Sequence, residues 1–158
     1  MLIIRAEDTA LRDYLQKLQE RLNELTPAMA GIGAELESRI SARFETQTDP
    51  GGNSWSGWAP STLRSYPFAG SKAAAQAGKP GHGRVLDRYG DMLAGLSHQA
   101  DASSVQVGFD RAYATFHEFG THKMPRRSLL FDNPYSSTLA PNDAQAVREI
   151  LSEFLMPA

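Results

Sequence analysis

The chain has 158 residues, 41% of them apolar, with 13 glycines, no cysteine and a formal net charge of −2. That length suits one domain whose core needs no staples, and the apolar share is ordinary for a globular protein. The lack of cysteine excludes disulfides, thiol catalysis and thiolate metal sites, and a charge this close to zero excludes a general polyanion binder.

No apolar run reaches the ~18 residues of a bilayer-spanning helix, and Met1-Leu-Ile-Ile runs straight into charge, so neither a membrane span nor an export signal is expected. The segment 46–90 is the only net basic third, with two acids and five bases, against eight and six in 1–45 and eight and five in 91–158.

Leu2 to Ile4 reads as a short strand. Asp8 or Thr9 then offers a side-chain oxygen to cap a helix, and Leu11, Tyr14, Leu15, Leu18, Leu22 and Leu25 follow at helical spacing. Thr26-Pro27 reads as a second cap and first helical position, with the stripe resuming at Met29, Ile32, Leu36, Ile40 and Phe44. Two helices, or one kinked at Pro27, are expected to pack on a sheet. The competing reading is a coiled-coil seam, weakened by Pro27, Gly31 and Gly33.

The pattern stops from Thr46 to Gly83, where seven of the 13 glycines and four of the nine prolines lie. This predicts a long mobile central loop, 46–83, with a turn at Asp49 to Asn53. Trp55 and Trp58 stand in it either as a small core that tacks it down or as anchors for a partner. Val85 to Leu93 reads as a short helix or turn. Leu96–Ala100 and Val105–Phe109 read as a β-hairpin joined by Asp101–Ser104, because Val105, Val107 and Phe109 alternate with Gln106 and Gly108. Tyr113 to Phe119 suits a short helix with Tyr113, Phe116 and Gly120 on one side and Gly120 as its stop. Met124 to Phe131 reads as extended, with Phe131 returning to the core. Asn142 is expected to cap a last helix, whose stripe is Val147, Ile150, Leu151, Phe154 and Leu155, closed by Pro157.

The stretch from Tyr113 to Phe131 is the densest in aromatic, basic and histidine residues. Its His117-Glu118 and His122 imitate a zinc-protease motif, but the histidines are five apart and Gly120 intervenes. Two ligands on one helical face need a spacing of four, so a catalytic zinc site is not expected. No nucleophile elbow, phosphate loop or dinucleotide fingerprint is present, and the acidic pairs Glu7/Asp8 and Glu35/Glu37 read as solvated helix surface. His122, Lys123, Arg126 and Arg127 form a basic cluster. It reads either as the charged guard of an edge strand or as a contact for nucleic acid or an acidic partner.

Several stretches in order are similar to one family. Ile32-Gly33 precedes a helix ending in Phe44. Asp49-Pro50-Gly51 leads to Trp58-Ala-Pro-Ser-Thr-Leu63. Val85-Leu86 is followed by Gly90-Asp91-Met92-Leu93, Val107-Gly108 by Tyr113-Ala-Thr-Phe-His-Glu-Phe-Gly120, and then comes Met124-Pro-Arg-Arg-Ser-Leu-Leu-Phe131. Together they resemble the phage virion morphogenesis family, the tail-completion proteins of Mu-like phages. The chain departs from that pattern at Asp49-Pro50-Gly51-Gly52, at an insertion before Trp58 that leaves either tryptophan for the family position, and at Ser128 to Phe131.

The resemblance implies a non-enzymatic α+β protein without cofactor or metal, made in the bacterial host cytoplasm and built into the virion at the neck or tail end. Residues 1–158 form one domain, with N-terminal amphipathic helices and a C-terminal helix on a small antiparallel sheet. The resemblance further implies that it completes the tail or joins it to the head as a homo-oligomeric ring near the phage DNA, contacting other neck or tail proteins. Trp55, Trp58, Arg64, Lys72, Lys79, Arg126 and Arg127 are the candidates for partner contacts. Gly90, Leu93, Gly108, Tyr113, His117, Phe119, Gly120 and Pro125 are the candidates for defining the fold. The alternatives are a nucleic-acid-binding module that uses the basic loop and a zinc hydrolase that uses His117 and His122.

Overall fold

Asp8 accepts a hydrogen bond from the Leu11 amide at 3.1 Å, and this cap starts helix α1, Thr9–Asn23. A computed structural model describes residues 8–133 and 135–156; the expected strand at Leu2 to Ile4 and the closing Pro157 lie outside the described residues. The ladder breaks at Glu24 and Leu25, and α2 runs from Thr26 to Thr46. Thr26, expected as its cap, already lies inside it. Leu25 holds the cap position without a side-chain bond, and the Glu24 carboxylate takes the Thr26 amide at 3.1 Å instead.

The two helices differ in what they bury. The inner line of α2 includes Ala28, Ile32, Ile40 and Phe44, whereas α1 has no buried residue. The leucine stripe of α1 therefore does not reach the sheet. Leu11, Leu15 and Leu22 stay more than half exposed, and α1 rests by its C-terminal end on the last helix, α7, Pro141–Leu155. There Arg21 donates to the Phe154 carbonyl at 2.7 Å.

The sheet is one antiparallel hairpin, β1 Leu96–Ala100 and β2 Val105–Phe109, in the register Leu96 opposite Phe109 and Ala100 opposite Val105. Asp101 closes its turn by accepting from the amides and hydroxyls of Ser103 and Ser104. Those bonds, the Ser103 amide foremost, hold its pKa down at about 2. The hairpin lies under α2, and the two meet at Gly33. A methyl carbon there would sit 2.4 Å from the His98 ring. The same ring bonds the Glu37 carboxylate one turn further along α2. Gly33 is thus a docking notch in a helix, and Glu37 is tied to the sheet, so its reading as free helix surface is corrected.

A second tie joins α2 to α7. Arg43 is buried, donates to the Leu129 carbonyl at 2.5 Å and pairs with the buried Asp143 in the first turn of α7. A carboxylate there also suits the positive end of the helix dipole. Ala140, not Asn142, is the cap position of α7. The core between these elements is Ile40, Phe44, Trp55, Met92, Leu96, Ala114 and Leu129, with Phe44 and Trp55 edge to face at 5.7 Å. Leu129 takes the inward place expected for Phe131, which is only half-buried.

The architecture is α+β, with helices around a small antiparallel sheet. The segment 46–83, read as a loop, carries two short helices, α3 Pro60–Ser65 and α4 Lys72–Ala77. Pro60 opens the first without needing an amide donor, and Ser71 caps the second through the Ala74 amide. Both are too short to show a periodic stripe. Two further short helices follow, α5 Asp91–Ala94 and α6 Ala114–Phe119.

The Gly33 notch makes a direct prediction. Gly33→Ala should cost about 1–3 kcal/mol in urea unfolding, because the methyl group must push the His98 ring aside. In the His98→Ala background the same change should cost much less, and an equal cost in both backgrounds would deny the notch.

Candidate functional site

The centre of the Tyr113–Phe131 stretch is a single carboxylate. The short helix α6 turns Ala114 and Glu118 inward and leaves Tyr113, Phe116 and Phe119 exposed, so its aromatic side is the outward one. Glu118 is 4% exposed. Its Oε2 accepts from the amides of Leu129 at 2.6 Å and Leu130 at 2.9 Å, and its Oε1 from the Phe131 amide at 3.1 Å. The Ser128 hydroxyl at 3.1 Å and an Arg126 Nη at 3.4 Å complete the set. Three successive amides converging on one anion form a backbone nest, which shapes the chain from Arg126 to Phe131.

Both arginines of the expected basic contact are engaged inside the chain. Arg126 donates to the carbonyls of Glu118 at 2.8 Å, Phe131 at 2.7 Å and Asp132 at 3.2 Å. Arg127 is 6% exposed and reaches across to the carbonyls of Ser56 and Gly57, each at 2.7 Å. Trp55 is a core residue whose ring N–H donates to the Ser128 carbonyl at 3.0 Å. Arg126, Arg127 and Trp55, expected as partner contacts, each bond within the chain around the 126–131 segment.

Gly120 stops α6 at φ +72°, and a methyl carbon there would stand 2.9 Å from the Arg126 amide nitrogen, so only glycine lets the segment pass so close. His117 sits one residue before the hub, edge-on to the Tyr113 ring at 6.4 Å. Its Nδ1 is enclosed and makes no hydrogen bond. Burial first, and the Arg127 charge second, hold its pKa below the ordinary histidine value. His122 is exposed, and among the described residues no three histidine or carboxylate side chains gather to hold a metal.

Beside this hub lies an open cleft of about 650 Å³. Its lining includes Trp58 and Tyr66 from the central segment and Tyr113, His117, Met124 and Pro125 from the 113–131 stretch. Trp58, Tyr66 and Phe68 stack as an aromatic cluster, with centroids 4.6 Å apart for Trp58–Tyr66 and for Tyr66–Phe68. This is the small core weighed for the tryptophans, but Trp58 alone builds it. The floor turn is held by buried Asp87, which accepts from the Gly90 amide at 3.0 Å and bonds His82 at 2.9 Å. Gly90 has φ +83°, and Leu93 packs on the core. Gly108 has open space where a side chain would be. Arg64, Lys72 and Lys79 are exposed along 60–83, and Lys79 lies 4.5 Å over the Tyr89 ring.

Residues 6–156 match the phage virion morphogenesis family, and the chain belongs to it. Its role is thereby in building the phage virion. No curated protein and no solved structure matches the chain. Among the described residues no helix is long and apolar enough to cross a membrane.

The Glu118 hub predicts that Glu118→Ala costs about 3–5 kcal/mol in denaturant unfolding, since it strands buried amides and a guanidinium. Glu118→Gln, which keeps one acceptor oxygen, should cost less. His117 predicts a pH dependence. Its lowered folded pKa means that the unfolded chain takes up the proton first, so stability present above pH ~6.5 is lost as pH falls below that value. Melting temperature should drop between pH 7 and pH 5 more steeply in the native chain than in His117→Phe. Parallel profiles would show that this histidine does not carry the loss.

Proposed function

We propose that the chain is a non-catalytic subunit that completes the phage tail or joins tail to head, assembling as a homo-oligomeric ring at the neck or tail end. One observation carries this reading. The groups that imitate chemistry, Glu118 and the two arginines, are engaged within the fold, while large apolar side chains stand exposed: Leu11, Leu15 and Leu22 on α1, and Tyr113, Phe116 and Phe119 around α6. Apolar ridges on this scale favour a subunit that buries them in an assembly. The nucleic-acid alternative keeps Arg64, Lys72 and Lys79 but loses Arg126 and Arg127 to carbonyl partners. A zinc hydrolase would need further ligands gathered with His117 and His122, and among the described residues no three histidine or carboxylate side chains come together.

Electron microscopy of particles from an induced phage lacking this gene tests the reading. Full heads beside unattached or malformed tails are expected, and normal infectious particles would overturn it. Trp58, half-buried on the cleft wall, gives a finer test. Trp58→Ala should hurt particle assembly more than folding: melting falls with the lost Tyr66 and Phe68 packing, yet the protein that remains folded fails to restore infectious particles. Normal complementation by the folded variant would remove Trp58 from the assembly contacts.

A further inference from the structure

We propose that residues 2–6 of one copy add as a strand to the open edge of β2 in a second copy, a contact that rests on the assembly reading above. The sheet has two strands, and neither outer edge has a neighbouring strand among the described residues. The Asp110 amide donates to the Gly95 carbonyl and the Asp101 amide to the Ser104 carbonyl, both at 2.9 Å, which fixes the alternation of the ladder. By that alternation Gln106 and Gly108 spend their backbone bonds on β1, while Val105, Val107 and Phe109 aim theirs outward. Among the described residues nothing takes those outward groups. Edge strands are commonly guarded by charge, proline or a bulge; β2, Val-Gln-Val-Gly-Phe, has none of these and pairs with β1 without a break. Nor does α2 close this side. It lies more over β1 than over β2, so Leu96 is buried, whereas Val105, Val107 and Phe109, facing the same way, are only half-buried.

Unpaired amides and carbonyls on a sheet edge take an extended segment. Residues 2–6, Leu-Ile-Ile-Arg-Ala, fit β2 in one antiparallel register. Setting Leu2 opposite Phe109, Ile4 opposite Val107 and Ala6 opposite Val105 puts all their side chains on the face toward α2. Ile3 then lies opposite Gly108, where nothing stands within 4 Å of a side chain's first carbon, and Arg5 opposite the exposed Gln106. A slip of one residue would turn Arg5 inward, and a slip of two would take Ile3 off the gap at Gly108. The second copy follows from α1. Only Glu7 and Asp8 separate Ala6 from Thr9, about 10 Å of extended chain, so pairing within one copy would hold the start of α1 beside its own hairpin. Instead every residue from Asp8 to Lys17 is exposed, and α1 packs on α7. Segment and edge are different patches of one chain, so the contact can repeat from copy to copy around a ring.

The chain has no cysteine, so introduced cysteines report contacts without background. Ile3→Cys and Gly108→Cys, purified separately as full chains, are mixed under mild oxidant. Mixed disulfide dimers should form, and far fewer when Gln99→Cys on β1 replaces Gly108→Cys. No excess over the Gln99→Cys mixture, or a disulfide closed within single chains that carry both Ile3→Cys and Gly108→Cys, would overturn the exchange. Independently, Gly108→Val should keep or raise the melting temperature, because its side chain meets nothing in the folded chain and valine favours strands. It should nonetheless weaken self-association about tenfold or more in sedimentation, because it fills the place of Ile3. Ile4→Asp, which leaves the hairpin untouched, should weaken it in the same direction. Native association in both folded variants would deny the pairing.

Complementation separates this inference from the reading beneath it. If the native gene restores particles and folded Ile4→Asp restores them equally, the strand exchange is wrong and the assembly role stands. If loss of the gene leaves particles normal, the assembly role itself falls.

Discussion

The fold turns on one buried carboxylate. Glu118 sits on a six-residue helix that would be unstable alone, and it gathers three backbone amides, a hydroxyl and a guanidinium from the following segment. A buried charge is costly unless its lone pairs are filled, and here they are filled mainly by main chain. This dictates the path of Arg126 to Phe131, and that path sends Leu129 into the core. It also places the Ser128 carbonyl against Trp55 and the Leu129 carbonyl against Arg43. Through these two carbonyls the hub reaches both the central segment and α2, and Arg43 passes the linkage to α7 by way of Asp143.

A common device recurs at smaller scale. Asp87 holds the turn before α5, and Asp101 holds the hairpin turn, each by accepting amides and neighbouring donors. Ordinary apolar packing supplies the interior, but anions placed among amides determine where the irregular chain runs. This matters in a protein with little sheet and several short helices, because local propensity leaves such segments with many conformations.

What could be read from the residues follows the same division. The hairpin was legible to its last residue, since alternation and the Asp101–Ser104 turn are local signals. The long helices were legible from periodicity, though not which one reaches the core: the stripes of α1 and α2 look alike, and only tertiary packing separates them. Arg43 and Asp143 lie 100 positions apart, and Arg127 and Ser56 71 apart, so nothing local announces either contact. Arg126 and Arg127 read as surface charge because basic pairs usually are. Gly33 read as a weak point in a helix, whereas its value is the space it leaves for His98. Within the Tyr113–Gly120 stretch the residue that organises the structure is Glu118, between the expected His117 and Phe119.

The bond from Arg127 to the carbonyls of Ser56 and Gly57 bears on timing. The lining of the cleft runs in sequence from Trp58, immediately after one end of that bond, to Arg127 itself. The cleft therefore has no existence until the chain between these points has been made, folded and clasped. Contacts so distant in sequence form late, after their loop-closure entropy has been met. A chain still emerging from the ribosome can display α1 and α2 but has no cleft, so anything that binds there meets only finished subunits.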